Sequence, residues 1–364
     1  MKIMLFSRIL AKTGVGSHVD QLADSLQKLG HKVIVVSGTK DIELSNPNVE
    51  FFRVNTLSNN PFRVLQTVFK LRKLIKEQAI DIVHCHHRKA AIFMQLCRAI
   101  CRVPFVYTLH LADVPSDFFH RKMTFVGKKA IGVSTEVREF LVNRLRIPES
   151  KTVTVLNGVD PEKLLPLTED EKKEIKSAWS IPEDALVFAM HSRIAPVKNH
   201  MLVVEALSVL SEEERGRLVV VCSGEKKGEY YEALLDAIEK RGLLESFRFV
   251  GWTSARQLLG ISDFLLLPSL NEGFALNVSE AFFMRVPVAR TETAGFRDQE
   301  YCLPISMTDP TDVVDIMKRA IEKGFGEYSD RVEKAYALAV AKLSCTKMAE
   351  NTAAVYEEVL GLGK

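Results

Sequence analysis

Residues 1–36 read MKIMLFSRILAKTGVGSHVDQLADSLQKLGHKVIVV, and this stretch decides the fold class. Lys2–Phe6 is a run of β-forming residues, and residues 19–29 carry apolar side chains at helical spacing. Gly30 ends that helix, and the continuous β-branched run at residues 33–36 is typical of a strand covered on both faces. A strand, a helix and a strand in succession predict the first βαβ unit of a parallel sheet.

The same alternation of strands and helices continues along the chain. Further strands are predicted at residues 51–54, 82–84, 105–108, 130–133 and 152–156, and, beyond a polar stretch at 166–180, at residues 185–190, 218–222, 247–250, 264–267 and 286–289. Later helices are predicted at residues 201–210, 230–240, 278–284 and 348–360. The pattern predicts an α/β protein with two Rossmann-like parallel-sheet domains. We place them at residues 1–165 and 166–347, with a C-terminal helix over 348–364 that packs back on the first domain.

The chain has the composition of a globular protein: 47% of its 364 residues are hydrophobic and 26% are charged. No apolar run reaches the roughly 18–20 residues of a transmembrane helix, so we expect a cytoplasmic protein. The six cysteines are scattered and form no CxxC pair, which predicts reduced thiols and no structural zinc site.

The net charge of +3 hides an asymmetry between the two halves. Residues 1–165 hold 25 Lys and Arg against 14 Asp and Glu, and residues 166–364 hold 24 against 32. A basic first half indicates an anionic partner, and a nucleic acid, an anionic membrane surface or a phosphorylated acceptor would each fit. Because no nucleic-acid-binding motif occurs, we expect no nucleic acid partner.

The first candidate binding loop follows the first strand. Open parallel sheets bind ligands at the carboxyl ends of their strands, and this loop contains Gly14 and Gly16. Glycines let a backbone approach a ligand, and the following helix start offers free amides to a phosphate. Because the dinucleotide pattern GxGxxG is incomplete, a tight turn without a ligand explains the loop equally well.

Histidines form a second group of candidates. His110 follows the predicted strand at 105–108, where it serves either as a hydrogen-bond partner for a reacting group or as a packed side chain. His84, His86 and His87 raise the idea of a metal site, but adjacent residues of a strand point to opposite faces. We therefore interpret this run as structural and predict no bound metal.

Two loops of the second domain carry charged candidates. Arg193 and Lys198 follow the strand at 185–190, where two cations either converge on a diphosphate or belong to a solvated loop. Glu272 and Glu280 follow the strand at 264–267. Because phosphate repels carboxylates, these two fit better as acceptors for sugar hydroxyls, and two surface glutamates on an ordinary helix are the alternative.

A helix is predicted to begin near Phe274, between these two glutamates. The amides of its first turn have no partner within the helix and can hold a phosphate. The residues concerned are Gly273, Phe274, Ala275 and Leu276.

With these segments in place, the chain resembles the retaining GT-B glycosyltransferases of family 4, the glycosyl transferases group 1. The resemblance covers essentially the whole chain in order. Its most specific part is Glu-x7-Glu after Pro268-Ser269, with Arg-x4-Lys about 75 residues earlier. The matching segments are the Gly14–Gly16 loop, Asp81-Ile-Val-His84, Thr108-x-His110, Asn157-Gly-Val-Asp160, Arg193-x4-Lys198 and Glu272-x7-Glu280.

The resemblance implies two domains that face each other across a cleft, the first for an acceptor and the second for a nucleotide-sugar donor. Arg193 and Lys198 would neutralise the donor diphosphate in place of a metal ion. Glu280 would accept hydrogen bonds from the ribose, and Glu272 would hold hydroxyls of the transferred sugar. The remaining implied contacts are Gly273, Phe274, Ala275 and Leu276 with the phosphate and sugar, Gly14 and Gly16 with the diphosphate, and His110 with the reacting sugar.

The implied activity is metal-independent transfer of a hexose, with retention, from a UDP- or GDP-sugar. The acceptor would be a glycan or lipid-linked molecule in cell-surface polysaccharide or lipopolysaccharide synthesis, and no cofactor is needed beyond the donor. A sugar-nucleotide epimerase on the same fold and a non-catalytic nucleotide-sugar binding protein are the alternatives. Three residues depart from the family pattern by replacing a glycine: Ser192, Arg285 and Ala294.

Two stretches of the first domain mix apolar or aromatic residues with basic ones. They cover Pro61–Glu77 and residues 118–129. Such stretches suit an anionic bilayer, or else a core-packed helix with a solvated face. We expect peripheral binding to the inner face of the cell membrane. The apolar residues of the first stretch are Val64, Leu65, Val68, Leu71 and Leu74.

Overall fold

The computed structural model describes residues 1–362, which fold into two compact units. Unit 1 contains residues 1–160 and the C-terminal segment that begins at Lys342, and unit 2 contains Pro161–Ala341. These boundaries lie a few residues before the predicted ones at 165 and 347. Residues 363 and 364 of the predicted C-terminal helix lie outside the described residues.

Strands and helices alternate through most of the chain. The strands are β1 (Lys2–Phe6), β2 (Lys32–Ser37), β3 (Glu50–Arg53), β4 (Ile82–Cys85), β5 (Phe105–Leu109), β6 (Ala130–Gly132), β7 (Thr152–Thr154), β8 (Leu186–His191), β9 (Leu218–Ser223), β10 (Phe247–Gly251), β11 (Phe264–Leu267), β12 (Val288–Arg290) and β13 (Leu303–Pro304). The helices are α1 (Gly14–Lys28), α2 (Pro61–Glu77), α3 (Arg88–Cys97), α4 (Phe118–Lys122), α5 (Thr135–Asn143), α6 (Glu169–Ala178), α7 (His200–Val209), α8 (Glu212–Gly216), α9 (Glu229–Lys240), α10 (Ala255–Gly260), α11 (Leu276–Phe283), α12 (Thr311–Lys323), α13 (Ser329–Lys342) and α14 (Cys345–Leu360).

Unit 1 is built on a seven-stranded sheet in the order β3-β2-β1-β4-β5-β6-β7. Every neighbouring pair of these strands is parallel. Strands β4 and β5 are buried along their whole length, as expected for parallel strands that are covered on both faces. The strand order reverses between β1 and β4, which gives the doubly wound arrangement that the sequence predicts.

The C-terminal helix α14 belongs to unit 1, where it packs against α1. Its Met348 and Tyr356 are fully buried in the same core cluster as Leu22 of α1. The Val159 amide donates to the Leu343 carbonyl at 2.9 Å, which fixes the chain where it returns to this unit.

Unit 2 repeats the arrangement with a six-stranded parallel sheet in the order β10-β9-β8-β11-β12-β13. The strand predicted at residues 286–289 is observed as β12 at Val288–Arg290, which is one residue shorter than predicted and ends one residue later. The short edge strand β13 was not predicted, because two residues that include a proline carry no strand pattern.

Helix α2 has the bounds of the first stretch predicted to bind a membrane, Pro61–Glu77, but it turns much of its apolar surface inward. Val68, Leu71 and Leu74 are buried and therefore belong to the core of unit 1, which corrects their prediction as membrane-binding residues. The exposed apolar side chains of α2 are Phe62, Leu65 and Phe69.

None of the helices in residues 1–362 combines the length and the apolar character that a membrane-crossing helix requires. All six cysteines are free thiols.

Candidate functional site

The strand order of each sheet reverses at one point, and ligands of doubly wound sheets bind at the carboxyl ends of the strands beside that point. In unit 1 the reversal lies between β1 and β4, and in unit 2 between β8 and β11. The candidate residues of unit 2 follow β8 and β11, and those of unit 1 follow β1, β4 and β5.

Lys198 and Glu272 form the charged centre of the unit 2 site. Lys198 ends a short 3-10 segment in the loop after β8, and Glu272 lies in the loop after β11. The Lys198 Nζ donates to Oε1 of Glu272 at 2.5 Å, and the two side chains are only 16% and 12% exposed. The Leu270 amide donates to the Val197 carbonyl at 2.8 Å and so joins the two loops. The structure thus makes a predicted cation and a predicted carboxylate direct neighbours.

Helix α11 offers unpaired backbone amides immediately after Glu272. The helix begins at Leu276, two residues later than predicted, because Ala275 takes an extended conformation at its N-cap. The cap provides no side-chain acceptor, and the amides of Gly273, Phe274 and Leu276 donate to no group in residues 1–362. Amides at a helix start carry partial positive charge and bind anions, so this segment is suited to a phosphate.

The turn after β12 supports this helix start. Gly295 has φ +85°, and a Cβ at this position would lie 3.1 Å from the Phe274 Cα. Arg290 is fully buried and donates to the Gln299 side chain, whose Nε2 donates in turn to the Ala275 carbonyl at 2.8 Å. The buried role of Arg290 was not predicted from the sequence, because a charged residue at a strand end is usually assigned to the surface.

Glu280 lies one helical turn further on, against the ends of β8 and β9. Its Oε2 is 3.8 Å from Nε2 of His191, and Nδ1 of His191 pairs with the buried Ser223 hydroxyl at 2.8 Å. Burial raises the pKa of Glu280 to about 7 and lowers the pKa of His191 to about 4, because both charged forms lose contact with water. At neutral pH His191 is therefore uncharged, and Glu280 exchanges a proton in this range.

His191 and Ser223 are site residues that the sequence analysis did not single out. Each is the last residue of its strand, and this position was the one signal that the sequence offered. The Asn277 Nδ2 donates to the His191 carbonyl at 2.9 Å and thereby connects α11 to the end of β8.

Arg193 lies in the loop after β8, with an exposed side chain. Within residues 1–362 its guanidinium forms no hydrogen bond or ion pair, so the structure does not join it to Lys198 or Glu272. Gly224 lies under this loop, since a Cβ there would come within 2.5 Å of the Ser192 carbonyl oxygen. The loop is thus fixed through its backbone, while the arginine side chain is available to a ligand.

In unit 1, the predicted glycines form the start of α1. The Thr13 hydroxyl accepts the Gly16 amide at 3.3 Å, so this amide is already engaged. A Cβ on Gly16 would lie 1.9 Å from the Ala11 carbonyl oxygen, whereas a Cβ on Gly14 would meet no atom within 4 Å. Packing against Ala11 therefore requires a glycine at position 16. The contact of Gly14 or Gly16 with a ligand stays a prediction.

A cluster of four histidines occupies the carboxyl ends of the unit 1 strands. His18 and His110 have ring centroids 4.8 Å apart, and His84 and His86 have ring centroids 4.1 Å apart. His84 and His86 share a face of β4 because they are two residues apart, while His87 pairs instead with the Ser7 hydroxyl at 2.8 Å. His18, which the sequence analysis did not single out, joins the cluster from α1.

The four rings differ in their hydrogen bonds. Both nitrogens of His84 are paired at 2.6 Å, Nδ1 with the Tyr356 hydroxyl and Nε2 with the Thr108 hydroxyl. His18 Nδ1 donates to Oδ1 of Asn157 at 2.8 Å. The Nε2 atoms of His18 and His86 are buried without a partner. His84 is thus held as a structural residue, while His18 and His86 retain an unused nitrogen.

Burial also decides the charge of this cluster. It lowers the pKa of His18 to about 4 and lowers the pKa values of His86 and His110 well below the usual range. A neutral imidazole donates one hydrogen bond and accepts another, so His110 is suited to pair with a hydroxyl. Ring nitrogens of His18, His86 and His110 lie within 4.8 Å of one another, so this trio could also hold a divalent cation, and the expectation of no metal stays a prediction.

Arg285 shows how one departure from the family pattern is accommodated. Its φ of 55° lies in the left-handed region that favours glycine. The side chain donates to Oε1 of Glu333 at 2.9 Å and stacks over the Tyr336 ring at 3.6 Å, both on α13. The guanidinium thus contacts a surface helix, so the arginine in place of glycine affects the local stability of unit 2.

Comparison with known proteins agrees with this architecture. The family model described as Glycosyltransferase Family 4 matches residues 12–163, and that described as Glycosyl transferases group 1 matches residues 171–301. An uncharacterized glycosyltransferase of Methanocaldococcus jannaschii is 24% identical over 306 residues, which cover 78% of each chain. The UDP-Gal:alpha-D-GlcNAc-diphosphoundecaprenol alpha-1,3-galactosyltransferase of Escherichia coli is 28% identical over 256 residues, 64% of each chain.

Among solved structures, HepE of Anabaena in complex with UDP superposes with a TM-score of 0.86 at 17% identity, over 98% of this chain and 100% of that one. This likeness shows the GT-B fold. The two family models fall on the two doubly wound units and include the loops of the charged centre and the histidine cluster. The chain therefore belongs to the family 4 glycosyltransferases, the glycosyl transferases group 1.

Proposed function

We propose that this glycosyltransferase moves a hexose from a UDP- or GDP-linked donor to a glycan or lipid-linked acceptor, with retention and without a metal ion. The product would serve cell-surface polysaccharide or lipopolysaccharide synthesis. In this proposal unit 2 binds the donor and unit 1 binds the acceptor.

The observation that carries the proposal is the Lys198–Glu272 pair next to the unpaired amides of α11. A donor diphosphate brings two negative charges that would compete with Glu272 for Lys198. Lys198, the exposed Arg193 and the α11 amides would then surround the diphosphate with positive charge. Glu272, released from the ion pair, would accept hydrogen bonds from hydroxyls of the transferred sugar.

The same groups would lower the barrier of the reaction. The bond from C1 of the sugar to the phosphate oxygen breaks, and the acceptor hydroxyl oxygen forms a bond to C1 on the same face. The proton of that hydroxyl passes to the departing phosphate oxygen. Negative charge grows on the diphosphate during this step, where fixed positive groups stabilise it. Because Lys198 and Arg193 would supply that charge, the reaction should proceed without a divalent cation.

Glu280 and His110 have separate roles in this proposal. A carboxylate at Glu280 is an acceptor for ribose hydroxyls, and its side chain is only 21% exposed, which limits competition from water. A neutral His110 would hydrogen-bond a hydroxyl of the reacting sugar. A UDP-linked donor is the first to test, because the E. coli relative is named for UDP-galactose and HepE was crystallised with UDP and UDP-glucose.

Peripheral membrane binding is a separate part of the proposal. Phe62, Leu65 and Phe69 leave α2 with an exposed apolar strip, and α4 adds the exposed Phe118 and Phe119. Unit 1 also carries the excess of basic residues, which suits an anionic bilayer. Wild type should co-sediment with anionic vesicles and lose binding at high salt, whereas Phe62→Ser/Phe69→Ser should stay in solution. Equal sedimentation of both proteins would contradict this assignment.

The deciding experiment for the activity uses a panel of UDP- and GDP-sugars in the presence of EDTA. Thermal shifts identify the donor, because a ligand that binds the folded state raises its stability. NMR of the transfer or hydrolysis product then shows whether the anomeric configuration is retained. An epimerised nucleotide sugar without an acceptor would favour the epimerase alternative, and binding without turnover on any acceptor would favour a non-catalytic protein.

A further inference from the structure

Three histidines of unit 1 bring their ring nitrogens close together from three separate elements. His18 belongs to α1, His86 follows β4 and His110 follows β5. One ring nitrogen of each lies within 4.8 Å of the other two. Two nitrogens bound to one tetrahedral zinc ion lie about 3.4 Å apart, so side-chain shifts of about 1 Å would close the three rings around an ion.

The nitrogens of these rings are largely unused. His18 Nδ1 donates to Oδ1 of Asn157 at 2.8 Å, so the lone pair of the ring lies on Nε2, which is buried without a partner within residues 1–362. The Nε2 atom of His86 is in the same condition. His86 Nδ1 lies 3.4 Å from Nε2 of His110, which is long for a hydrogen bond but equals the separation of two ligands on one ion. Buried polar atoms without partners indicate a ligand that would pair with them.

The contact of His18 with Asn157 is typical of a metal ligand. A histidine that binds a metal usually donates its second N–H to a carbonyl or carboxylate oxygen, which fixes the tautomer and the orientation of the ring. The Asn157 side chain supplies this oxygen. Burial also lowers the pKa values of all three rings and so keeps them in the neutral form that binds a metal.

The ligand set favours one class of metal. Imidazole nitrogens suit zinc and related transition metals, whereas magnesium takes oxygen ligands. His84 adds no fourth ligand, because both of its nitrogens are paired with hydroxyls. One coordination position is therefore left for a water molecule or another small ligand. His86 and His110 also line a cavity of about 640 Å³, which gives an ion a path to the three rings.

We propose that His18, His86 and His110 bind one zinc ion and that this ion inhibits the enzyme. Zinc would occupy His110, the residue to which the proposed function assigns a hydroxyl of the reacting sugar, and would remove that contact. Zinc is thus a regulator and takes no part in the transfer step. Only the inhibition rests on the proposed function, since the metal site follows from the three rings themselves.

The direct test is a titration of the full-length protein, freed of metal with EDTA and then of EDTA, with Co²⁺ and afterwards with Zn²⁺. One cobalt ion per chain should bind and give the visible absorption of a four- or five-coordinate site, and zinc should displace it. Mg²⁺ should have no effect. No such absorption, or sulfur-to-cobalt charge-transfer bands that place the ion on a cysteine, would overturn the inference.

Two variants remove a ligand. His86→Phe keeps an aromatic ring, and His110→Ala truncates the least buried of the three side chains. Each should weaken Zn²⁺ at least about tenfold in competition with a chromophoric chelator. His31→Gln, which precedes β2 at the amino ends of the strands, is the matched control and should change nothing. Unchanged zinc affinity in either ligand variant, where its thermal unfolding matches that of wild type, would overturn the inference.

The positioning role of Asn157 has a test of its own. Asn157→Leu removes the oxygen that orients His18 and should weaken Zn²⁺ about 10–100-fold. Asn157→Asp keeps an acceptor and should retain the affinity. Equal zinc affinity in both variants would contradict this part of the site.

Activity separates the metal site from the proposed function. Zinc at concentrations that fill the site should slow turnover of the nucleotide sugar in wild type, and His86→Phe should need at least about tenfold more zinc for the same loss. Zinc that binds at the three histidines without slowing turnover would overturn the inhibition. A protein that binds zinc there but turns over no nucleotide sugar would reject the transferase and keep the metal site, and an active transferase that binds no zinc would do the reverse.

Discussion

Release of a proton from Glu280 on donor binding is the prediction that tests the unit 2 site in most detail. Burial raises the pKa of Glu280 to about 7, so at pH 7 about half of the free molecules carry a neutral carboxyl. Ribose hydroxyls that donate to this group would favour its ionised form and lower its pKa again. Donor binding should therefore expel the proton.

The size of the effect follows from that pKa. If the bound donor keeps Glu280 ionised, binding releases about half a proton at pH 7 and about a tenth of a proton at pH 8. The same linkage makes the donor affinity about tenfold weaker at pH 6 than at pH 8. In the free protein the unfolded carboxyl ionises near pH 4.5 and the folded one near pH 7, so about 3 kcal/mol of folding stability that is present below pH 4.5 is lost as the pH rises from 4.5 to about 7.

The assay is calorimetric titration at pH 6, 7 and 8 in buffers of different ionisation enthalpy. A nucleotide sugar is the right ligand, because its esterified diphosphate does not titrate in this range. Glu280→Gln should bind the donor with no proton release, with an affinity that does not depend on pH, and should gain stability relative to wild type at pH 8. Glu239→Gln, on the exposed face of α9, is the matched control.

Two results would refute the reasoning. Proton release that persists in Glu280→Gln would place the titrating group elsewhere, with His191 the first residue to examine. A wild-type affinity that is constant from pH 6 to 8 would mean that the donor does not contact the Glu280 carboxyl.

Three substitutions test the supporting structure. Gly295→Ala places a side chain in a backbone with φ +85°, close to Phe274, so unfolding in urea should show a loss of about 1–3 kcal/mol, and donor affinity should fall; normal affinity would contradict the bracing role. Tyr356→Phe leaves a buried His84 nitrogen unpaired and should cost about 1–3 kcal/mol in the same assay, whereas unchanged stability would show that this hydrogen bond is replaceable. Arg285→Gly relieves the strain of a non-glycine residue in the left-handed region but removes the exposed ion pair with Glu333. The free energy of unfolding should therefore stay within about 1 kcal/mol of the wild-type value. Turnover should also be unchanged, and a loss would place Arg285 in the donor site.

Much of the fold was predictable because the buried strands of a parallel sheet have a recognisable sequence pattern. Buried strands of a parallel sheet are continuous apolar runs, and Lys2–Phe6 and Phe264–Leu267 were predicted with the bounds that the structure gives. The prediction for β12 was wrong at both ends. Its last residue, Arg290, is satisfied by side chains and carbonyls of a turn that the sequence pattern does not reveal.

The environments of the candidate residues were less predictable than their positions. Glu272 and Glu280 look alike in the sequence, yet Glu272 is paired with Lys198 while Glu280 lies 3.8 Å from a neutral histidine. The His18 side chain is held by Asn157, which lies 139 residues away along the chain. Such contacts depend on how distant loops meet at the edge of a sheet, and no local spacing encodes them.

The central claim is that Lys198, Arg193 and the α11 amides bind the donor diphosphate. The most direct measurement compares the affinities for the preferred nucleoside diphosphate, UDP or GDP, and for its monophosphate in wild type and in Arg193→Ala/Lys198→Ala. We predict that the double variant loses at least about tenfold in affinity for the diphosphate and much less for the monophosphate. Equal losses for both nucleotides, or no loss for either, would contradict the claim.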